Sequence, residues 1–185
     1  MFSRLRSTSI ASASLLLMVS MTVVNAGNYV YNLIMGRWLG PILFADISLI
    51  VTLLLVVTFI TVPLQLTTAR YAAIAQVDND WVALATVRQY LTKIALLFGF
   101  GFAAVFSFGS SWLAAFFHTQ SSLPFIIFGC GLPFSLMQGV NRGVFQGKTR
   151  FGVLAITYQV EMWSRLLFGV ALVALGLSVN GAVLG

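Results

Sequence analysis

The chain has 185 residues, of which 59% are hydrophobic and 8% are charged, and its formal net charge is +6. Soluble globular domains carry about 25% charged residues, so this composition excludes a water-soluble fold. The mean hydropathy of +0.99 agrees with a chain that faces lipid over much of its surface. The basic residues form no stripe interleaved with aromatic residues, which argues against a nucleic-acid-binding protein.

Five apolar stretches follow one another along the chain, and each is long enough to cross a bilayer as a helix, which takes about 20 residues. Because lipid offers no hydrogen bonds to an open backbone, helices are favoured over strands. The predicted fold class is therefore all-α: a polytopic transmembrane helix bundle with about five complete helices and the start of a sixth. The five stretches are roughly Ile10–Met35, Phe44–Ala69, Ile94–Phe117, Leu123–Val140 and Val153–Leu175.

The gaps between these stretches alternate in charge, which predicts how the chain crosses the membrane. Lys and Arg are retained in the cytoplasm, so the basic gaps and the N-terminus are predicted on the cytoplasmic side of the inner (plasma) membrane. The opposite gaps hold only Arg37 and His118. In the longest basic gap, the segment Asp78-Asn79-Asp80 is predicted to cap a helix that starts near Trp81. Eight of the ten basic residues fall in the cytoplasmic gaps: Arg4, Arg6, Arg70, Arg88, Lys93, Arg142, Lys148 and Arg150.

Both ends of the chain carry information about processing and length. Arg4 and the small residues 24–26 are similar to parts of a secretory signal peptide, but the first apolar run is longer than the usual stretch of about 7–15 residues. An uncleaved first span is therefore expected. Near Asn180 a new apolar segment begins. Its few residues up to Gly185 are too short to cross a bilayer. Residues 1–185 are accordingly expected to form the incomplete N-terminal transmembrane lobe of a longer protein.

Three predicted spans carry polar side chains three or four residues apart, so that the polar residues of each span share one helical face. A single such residue is explained by a hydrogen bond between helices, which contributes about 0.6 kcal/mol on average. Three polar faces in one bundle favour a shared cavity. The first span contributes Asn25, Asn28 and Asn32, the second Thr58, Thr61, Gln65 and Thr68, and the fifth Tyr158, Glu161 and Arg165.

Glu161 and Arg165 are the most informative of these residues, because a charge at mid-membrane costs roughly 2.5–3.5 kcal/mol even on the lenient insertion scale. Their spacing of four residues, with the acid first, suits an ion pair on one helix. Such a pair could serve only to neutralise itself during insertion. Alternatively, Arg165 presents a fixed positive charge to an anionic substrate. Asp46, near the start of the second span, is interpreted as an interfacial residue.

Two motifs resemble a known transporter family. The segment Arg37–Ala45 has the pattern Arg-x-Leu-Gly-Pro, two further residues, an aromatic and a small residue. It resembles the segment after the first helix of the oligosaccharide flippases, the polysaccharide-transporter family. The segment Arg142–Phe151 is similar to the cytoplasmic turn after that family's fourth helix, and Arg165 falls where these proteins often carry an arginine. The resemblance covers nearly the whole chain, but only the first lobe of the family's fold.

What the resemblance implies is a transporter, and no enzyme, with two helical lobes around a central cavity. The family that the chain resembles is part of a superfamily that includes multidrug and toxin extruders. The implied substrate is an oligosaccharide linked to a polyprenyl pyrophosphate, moved for surface polysaccharide export. The implied partners are this substrate, the bilayer and a C-terminal lobe, without cofactors or nucleic acid. Candidate cavity residues are Arg165, Glu161, Tyr158, Asn25, Asn28, Asn32 and Gln65, and candidates for the cytoplasmic face are Arg70, Arg142, Gln146 and Arg150.

Two other functions stay open. A multidrug or cation antiporter of the same superfamily would need a net acidic cavity, and Glu161 is the only deep acid in the chain. A membrane enzyme of glycan assembly would need acids, bases or metal ligands on sizeable loops. The chain has four acidic residues, one histidine and a single Cys130, which predicts neither a disulfide nor a metal site.

Overall fold

The computed structural model describes the backbone of residues 2–184 and the side chains of residue 12 and of residues 14–184. The side chains of Arg4 and Arg6, which the topology prediction uses, lie outside the described residues. All elements of the described chain are helical, which confirms the predicted all-α bundle. The helices are α1 (Phe2–Asp78), α2 (Trp81–Phe108), α3 (Ser110–Phe117), α4 (Leu123–Gly147), α5 (Phe151–Leu172) and α6 (Ser178–Leu184).

Helix α1 consists of two arms that fold back on each other at Gly40, where φ is 73° and ψ is 175°. This left-handed φ favours glycine, and the Pro41 that follows has no N–H to continue a helical hydrogen-bond ladder. We call residues 2–39 α1a and residues 41–78 α1b. Tyr31 and Ile47 belong to one buried apolar cluster. A straight helix would hold them roughly 24 Å apart, so the arms must run side by side.

The described residues include four helical segments that are long and apolar enough to cross a membrane. The first of them, Ser14–Asp78, contains both arms of α1. Its 65 residues would extend about 98 Å if straight, more than three times a bilayer core, so its two arms account for two of the five predicted spans. The cap predicted within residues 78–80 is confirmed, and Asp80 provides it: its Oδ1 accepts a hydrogen bond from the Ala83 N–H at 2.8 Å.

Helix α4 lies at the centre of one group of helices. It packs antiparallel to α2, where a β-carbon placed on Gly99 would lie 2.5 Å from the Cα of Pro133. It packs parallel to α1b through glycines spaced four residues apart. We call this second contact the glycine seam; it joins Gly139, Gly143 and Gly147 of α4 to Thr61, Gln65, Thr68, Ala69 and Ala72 of α1b.

Helix α5 lies in a second group, beside α1a. Gly27 of α1a packs against Met162, and Tyr31 packs against Gly169, so these two helices run parallel. A π-helical turn with Gly176 at φ 88° then reverses the chain into α6. The Tyr31 hydroxyl donates a 2.7 Å hydrogen bond to the Ala182 carbonyl and joins α6 to α1a. The bundle thus contains an α4 group (α1b, α2, α4) and an α5 group (α1a, α5, α6).

Candidate functional site: a cavity between the two helix groups

A cavity of about 940 Å³ lies between the two helix groups and is lined by both arms of α1 and by α4, α5 and α6. An apolar cluster that contains Tyr31, Met35 and Ile47 packs near one end, on the side of Gly40. The other end is the one at which α1b finishes and α4 turns into α5. We call it the basic end, because it carries Arg70, Arg88, Lys148 and Arg150.

The cavity wall holds a charged triad made of Arg142, Glu161 and Arg165. Glu161 lies between the two arginines: its Oε2 pairs with Nη2 of Arg142, and its Oε1 lies 3.6 Å from Nη2 of Arg165. The predicted pair between Glu161 and Arg165 is therefore present, with a further cation from α4. Among the described residues that line the cavity, these three are the charged ones, so its lining carries a net charge of one positive unit.

Arg142 is the member of the triad that the sequence analysis assigned to the cytoplasmic face. The structure places it in the cavity wall, with only 11% of its side chain exposed. A sequence signal for this position exists, because Ser135, Gln138 and Arg142 are spaced three and four residues apart on α4. They form a further polar face of the kind seen in three other spans, and all three residues line the cavity.

Near the triad, on its basic-end side, three polar side chains from three helices meet. Gln65 of α1b donates from Nε2 to Oε1 of Gln146 on α4 at 2.8 Å and to the hydroxyl of Tyr158 on α5 at 3.4 Å. The face of the Tyr158 ring lies beneath the Arg142 guanidinium, 4.0 Å from its centroid to Cζ. Gln65, predicted for the cavity, and Gln146, predicted for the cytoplasmic face, do not line the cavity; Gln146 is connected to the lining residue Tyr158 through Gln65. We call these three residues the polar bracket.

The polar faces predicted for the first two spans differ in location: most of the asparagines of α1a line the cavity, and the threonines of α1b do not. Asn28 and Asn32 line the cavity, and Nδ2 of Asn32 donates to the backbone carbonyl of Asn28 at 2.8 Å. Asn25 is exposed and does not contribute to the lining. The threonines of α1b instead donate their hydroxyls to carbonyls of their own helix, and two of them pack in the glycine seam. These residues are Thr58, Thr61 and Thr68.

The remaining basic candidates lie outside the cavity. Arg70 and Arg150 are exposed. Arg88 donates from Nη2 to Oδ1 of Asn141 at 2.9 Å, which joins α2 to the cavity-lining face of α4. Lys148 places its Nζ 4.6 Å from the centroid of the Trp81 ring. These side chains form the basic end and do not contact the charged triad.

Asp46 has a role that the sequence did not predict. It is buried, and its Oδ2 accepts a 3.2 Å hydrogen bond from the backbone N–H of Gln120, in the loop before α4. Asp46 therefore ties that loop to α1b. Cys130 is exposed on α4. Within the described part of the chain, no group of three or more His, Cys, Asp or Glu side chains could hold a metal ion.

Comparisons of the chain with protein-family models, with curated proteins and with solved structures gave no match. A functional interpretation therefore depends on the chemistry of the cavity. Its lining combines a net positive charged triad, amide side chains and an apolar surface that includes Leu54, Leu55 and Phe134.

Proposed function

We propose that the protein is a membrane transporter that moves an anionic lipid-linked oligosaccharide, of the polyprenyl-pyrophosphate class, across the inner (plasma) membrane. The observation that carries this proposal is the charged triad. Two arginines from different helices share one carboxylate, so the cavity lining retains one positive charge at membrane depth. A positive charge in this position is costly unless it meets an anion.

The chemistry of the arginines suits a pyrophosphate. Guanidinium groups bind phosphate oxygens through two parallel, charge-assisted hydrogen bonds. Arg165 is 29% exposed at the side chain, so its fork is accessible from the cavity. An incoming phosphate group would compete with Glu161 for both arginines. The positive charge that Glu161 leaves unbalanced in the charged triad favours this anion.

The rest of the lining suits the remainder of such a substrate. Asn28, Asn32 and Gln138 supply amide donors and acceptors of the kind that bind sugar hydroxyls. Leu54 and Phe134 are exposed and line the cavity, so an apolar surface lies next to the polar one. A lipid-linked glycan has the same division between a polar head and a hydrocarbon chain.

A cation antiporter is less well supported by the same geometry. Such a protein needs a carboxylate that is free to bind a cation or a proton. Both oxygens of Glu161 already face arginine nitrogens. Replacement of these two interactions by one monovalent cation would leave two guanidinium groups unpaired in the cavity wall.

The orientation we propose places the basic end in the cytoplasm. The helices support an alternating path, because α1a runs parallel to α5, α1b runs parallel to α4, and α2 runs antiparallel to α4. A reporter fused after Arg150 is expected to be cytoplasmic, and one fused near Gln120 is expected outside. The reverse result at either site would contradict this orientation.

The transport proposal is tested in liposomes that contain the full-length gene product and a fluorescent polyprenyl-pyrophosphate-linked oligosaccharide. Flipping is measured as the fraction of glycan that an added glycosidase can reach. Arg165→Gln should fold but reduce the initial rate about tenfold or more, since a hydrogen bond to a charged group is lost. The initial flipping rate of Arg165→Lys should lie between those of Arg165→Gln and the wild type, because an ammonium keeps the charge but lacks the planar fork.

Arg70→Gln is the matched control, because it removes one exposed arginine outside the cavity. It should flip at the wild-type rate once membrane levels are equal. Unchanged flipping by Arg165→Gln would overturn the proposed function.

A further inference from the structure

Arg142 is held in the cavity wall by few hydrogen bonds. A guanidinium has five N–H donors. Those of Nη2 meet Glu161 and, at 3.4 Å, the Thr157 carbonyl. The Nε atom is buried and has no hydrogen-bond partner. The flat face of the group instead rests on the Tyr158 ring. The Tyr158 ring is therefore a main contact of the guanidinium, and it determines the plane in which the N–H donors of Arg142 lie.

The Tyr158 ring is itself held in place from the glycine seam. Its hydroxyl accepts a hydrogen bond from Gln65, which also donates to Gln146. Gly143 packs directly against the backbone carbonyl of Gln65. A close backbone contact between α1b and α4 thus fixes the position of Gln65. Through its hydrogen bond, Gln65 in turn fixes the Tyr158 hydroxyl on α5.

We infer that Tyr158 is a positioning residue that orients Arg142 toward the anionic group of the substrate, and that Gln65, itself hydrogen-bonded to Gln146, holds the Tyr158 hydroxyl for this purpose. An aromatic face suits the task, because it attracts a cation without using any in-plane N–H donor. It also does not neutralise the guanidinium, as a second carboxylate would. The Nη1 donors of Arg142, which neither Glu161 nor Thr157 occupies, consequently stay available for a phosphate oxygen. This inference rests on the proposed function.

The test measures the dissociation constant of inorganic pyrophosphate by calorimetry, on the purified full-length gene product. Tyr158→Leu removes the ring and should raise Kd about tenfold, a factor between those expected for an exposed and for a desolvated cation–π contact. Tyr158→Phe keeps the ring but frees it from Gln65, so Kd should rise by about two- to threefold. Tyr90→Leu, at an exposed tyrosine of α2, is the matched control and should leave Kd unchanged.

The decisive comparison is made in an Arg142→Gln background. If Tyr158 acts through Arg142, Tyr158→Leu should have no further effect on Kd there, because coupled residues are not additive. A purely structural role would raise Kd by the same factor in both backgrounds and would overturn the inference. No change of Kd with Tyr158→Leu in the wild-type background would also overturn it.

Two further outcomes are distinguishable. If Tyr158→Leu does not fold, Gln65→Leu and Tyr158→Phe are compared in both backgrounds. Unchanged Kd with both of them in the wild-type background would then overturn the inference. If pyrophosphate binds and Arg165→Gln weakens it while the Tyr158 variants do not, the positioning role fails and the proposed function stands. If pyrophosphate does not bind, or binds independently of both arginines, the proposed function fails with it.

Discussion

Helix α4 makes two kinds of contact on two of its faces. In the glycine seam, Gly143 lies so close to α1b that a β-carbon placed there would meet the Gln65 carbonyl and come within 2.6 Å of the Thr68 Cβ. On the cavity side, Arg142, one residue earlier, reaches α5 through an ion pair and an aromatic ring. Neighbouring residues thus hold α4 to one helix by shape and to another by charge.

The difference teaches which contacts can adapt. Backbones in close contact cannot move apart for a larger side chain without losing packing along the whole seam. Long charged side chains can change rotamer and exchange partners. The seam therefore suits a fixed unit of helices, and the cavity side suits the exchange of charged partners that the proposed function requires. The predictions below test this contrast.

The largest effect is expected in the seam. Gly143→Ala should lower the free energy of unfolding by about 3 kcal/mol, the upper part of the range for overpacked cores. Its β-carbon would meet backbone atoms of α1b, which cannot rotate away. Gly131→Ala is the matched control on the same helix, because a β-carbon there meets nothing within 4 Å. It should be neutral or raise stability by up to about 1 kcal/mol. Unfolding in detergent micelles measures both.

Equal stability of the two alanine variants would show that the seam is not closely packed. The contrast between the two faces of α4 would then lose its basis.

The next effect concerns the free energies of unfolding of variants of the charged triad. Glu161→Gln should cost about 2 kcal/mol, because it leaves two guanidinium groups without a counter-ion in a partly buried site. Arg142→Gln should cost less, about 1 kcal/mol, because Glu161 keeps Arg165 as its partner. The double variant leaves a single unpaired arginine. It should therefore be more stable than Glu161→Gln alone.

This reversal, in which a second substitution restores stability, is measured by thermal unfolding of all four proteins. A simple sum of the two single effects would show that Glu161 does not bridge the two arginines.

The sequence predicts the helices better than it predicts which face of each helix packs against a neighbour and which lines the cavity. Long apolar stretches suffice for an all-α bundle, and Gly40 with Pro41 marks the turn between the first two spans. The location of Arg142 could not be predicted in the same way, because its partner Glu161 lies on the next helix. The spacing of Gly139, Gly143 and Gly147 was an available signal. Small residues at intervals of four are typical of close helix contacts in membranes.

If the glycine face of α4 is assigned to a contact with a neighbouring helix, the face with Ser135, Gln138 and Arg142 is predicted to line the cavity. The threonines of α1b were misleading for a related reason. A hydroxyl in a helix can bond to a carbonyl of its own preceding turn, so polar spacing alone does not distinguish a cavity face from a packed one. Only the contact between Thr61 or Thr68 and the α4 glycines separates the two cases.

A smaller effect is expected at Asp46, which holds a loop by one hydrogen bond. Asp46→Leu should lower the free energy of unfolding by about 1.5 kcal/mol, since the Gln120 N–H loses its charged acceptor. Asp46→Asn keeps an acceptor oxygen and should lose less than about 0.5 kcal/mol. Chemical denaturation compares the two variants. Equal losses would mean that the charge of Asp46, and not its hydrogen bond, stabilises the loop.

The smallest effect is expected at the basic end, where Lys148 lies over Trp81. Trp81 is 47% exposed, so water weakens the attraction between the ammonium and the ring. Lys148→Gln should therefore lower the free energy of unfolding by about 0.5 kcal/mol, and Trp81→Leu in the same background should remove no further cation–π energy. Arg150→Gln, at an exposed neighbour, removes an equal charge without a ring contact and should have no measurable effect. A double-mutant cycle in detergent at two salt concentrations separates the contributions. A loss at Lys148 as large as that at Glu161 would show that the basic end, and not only the cavity side of α4, depends on charge for its stability.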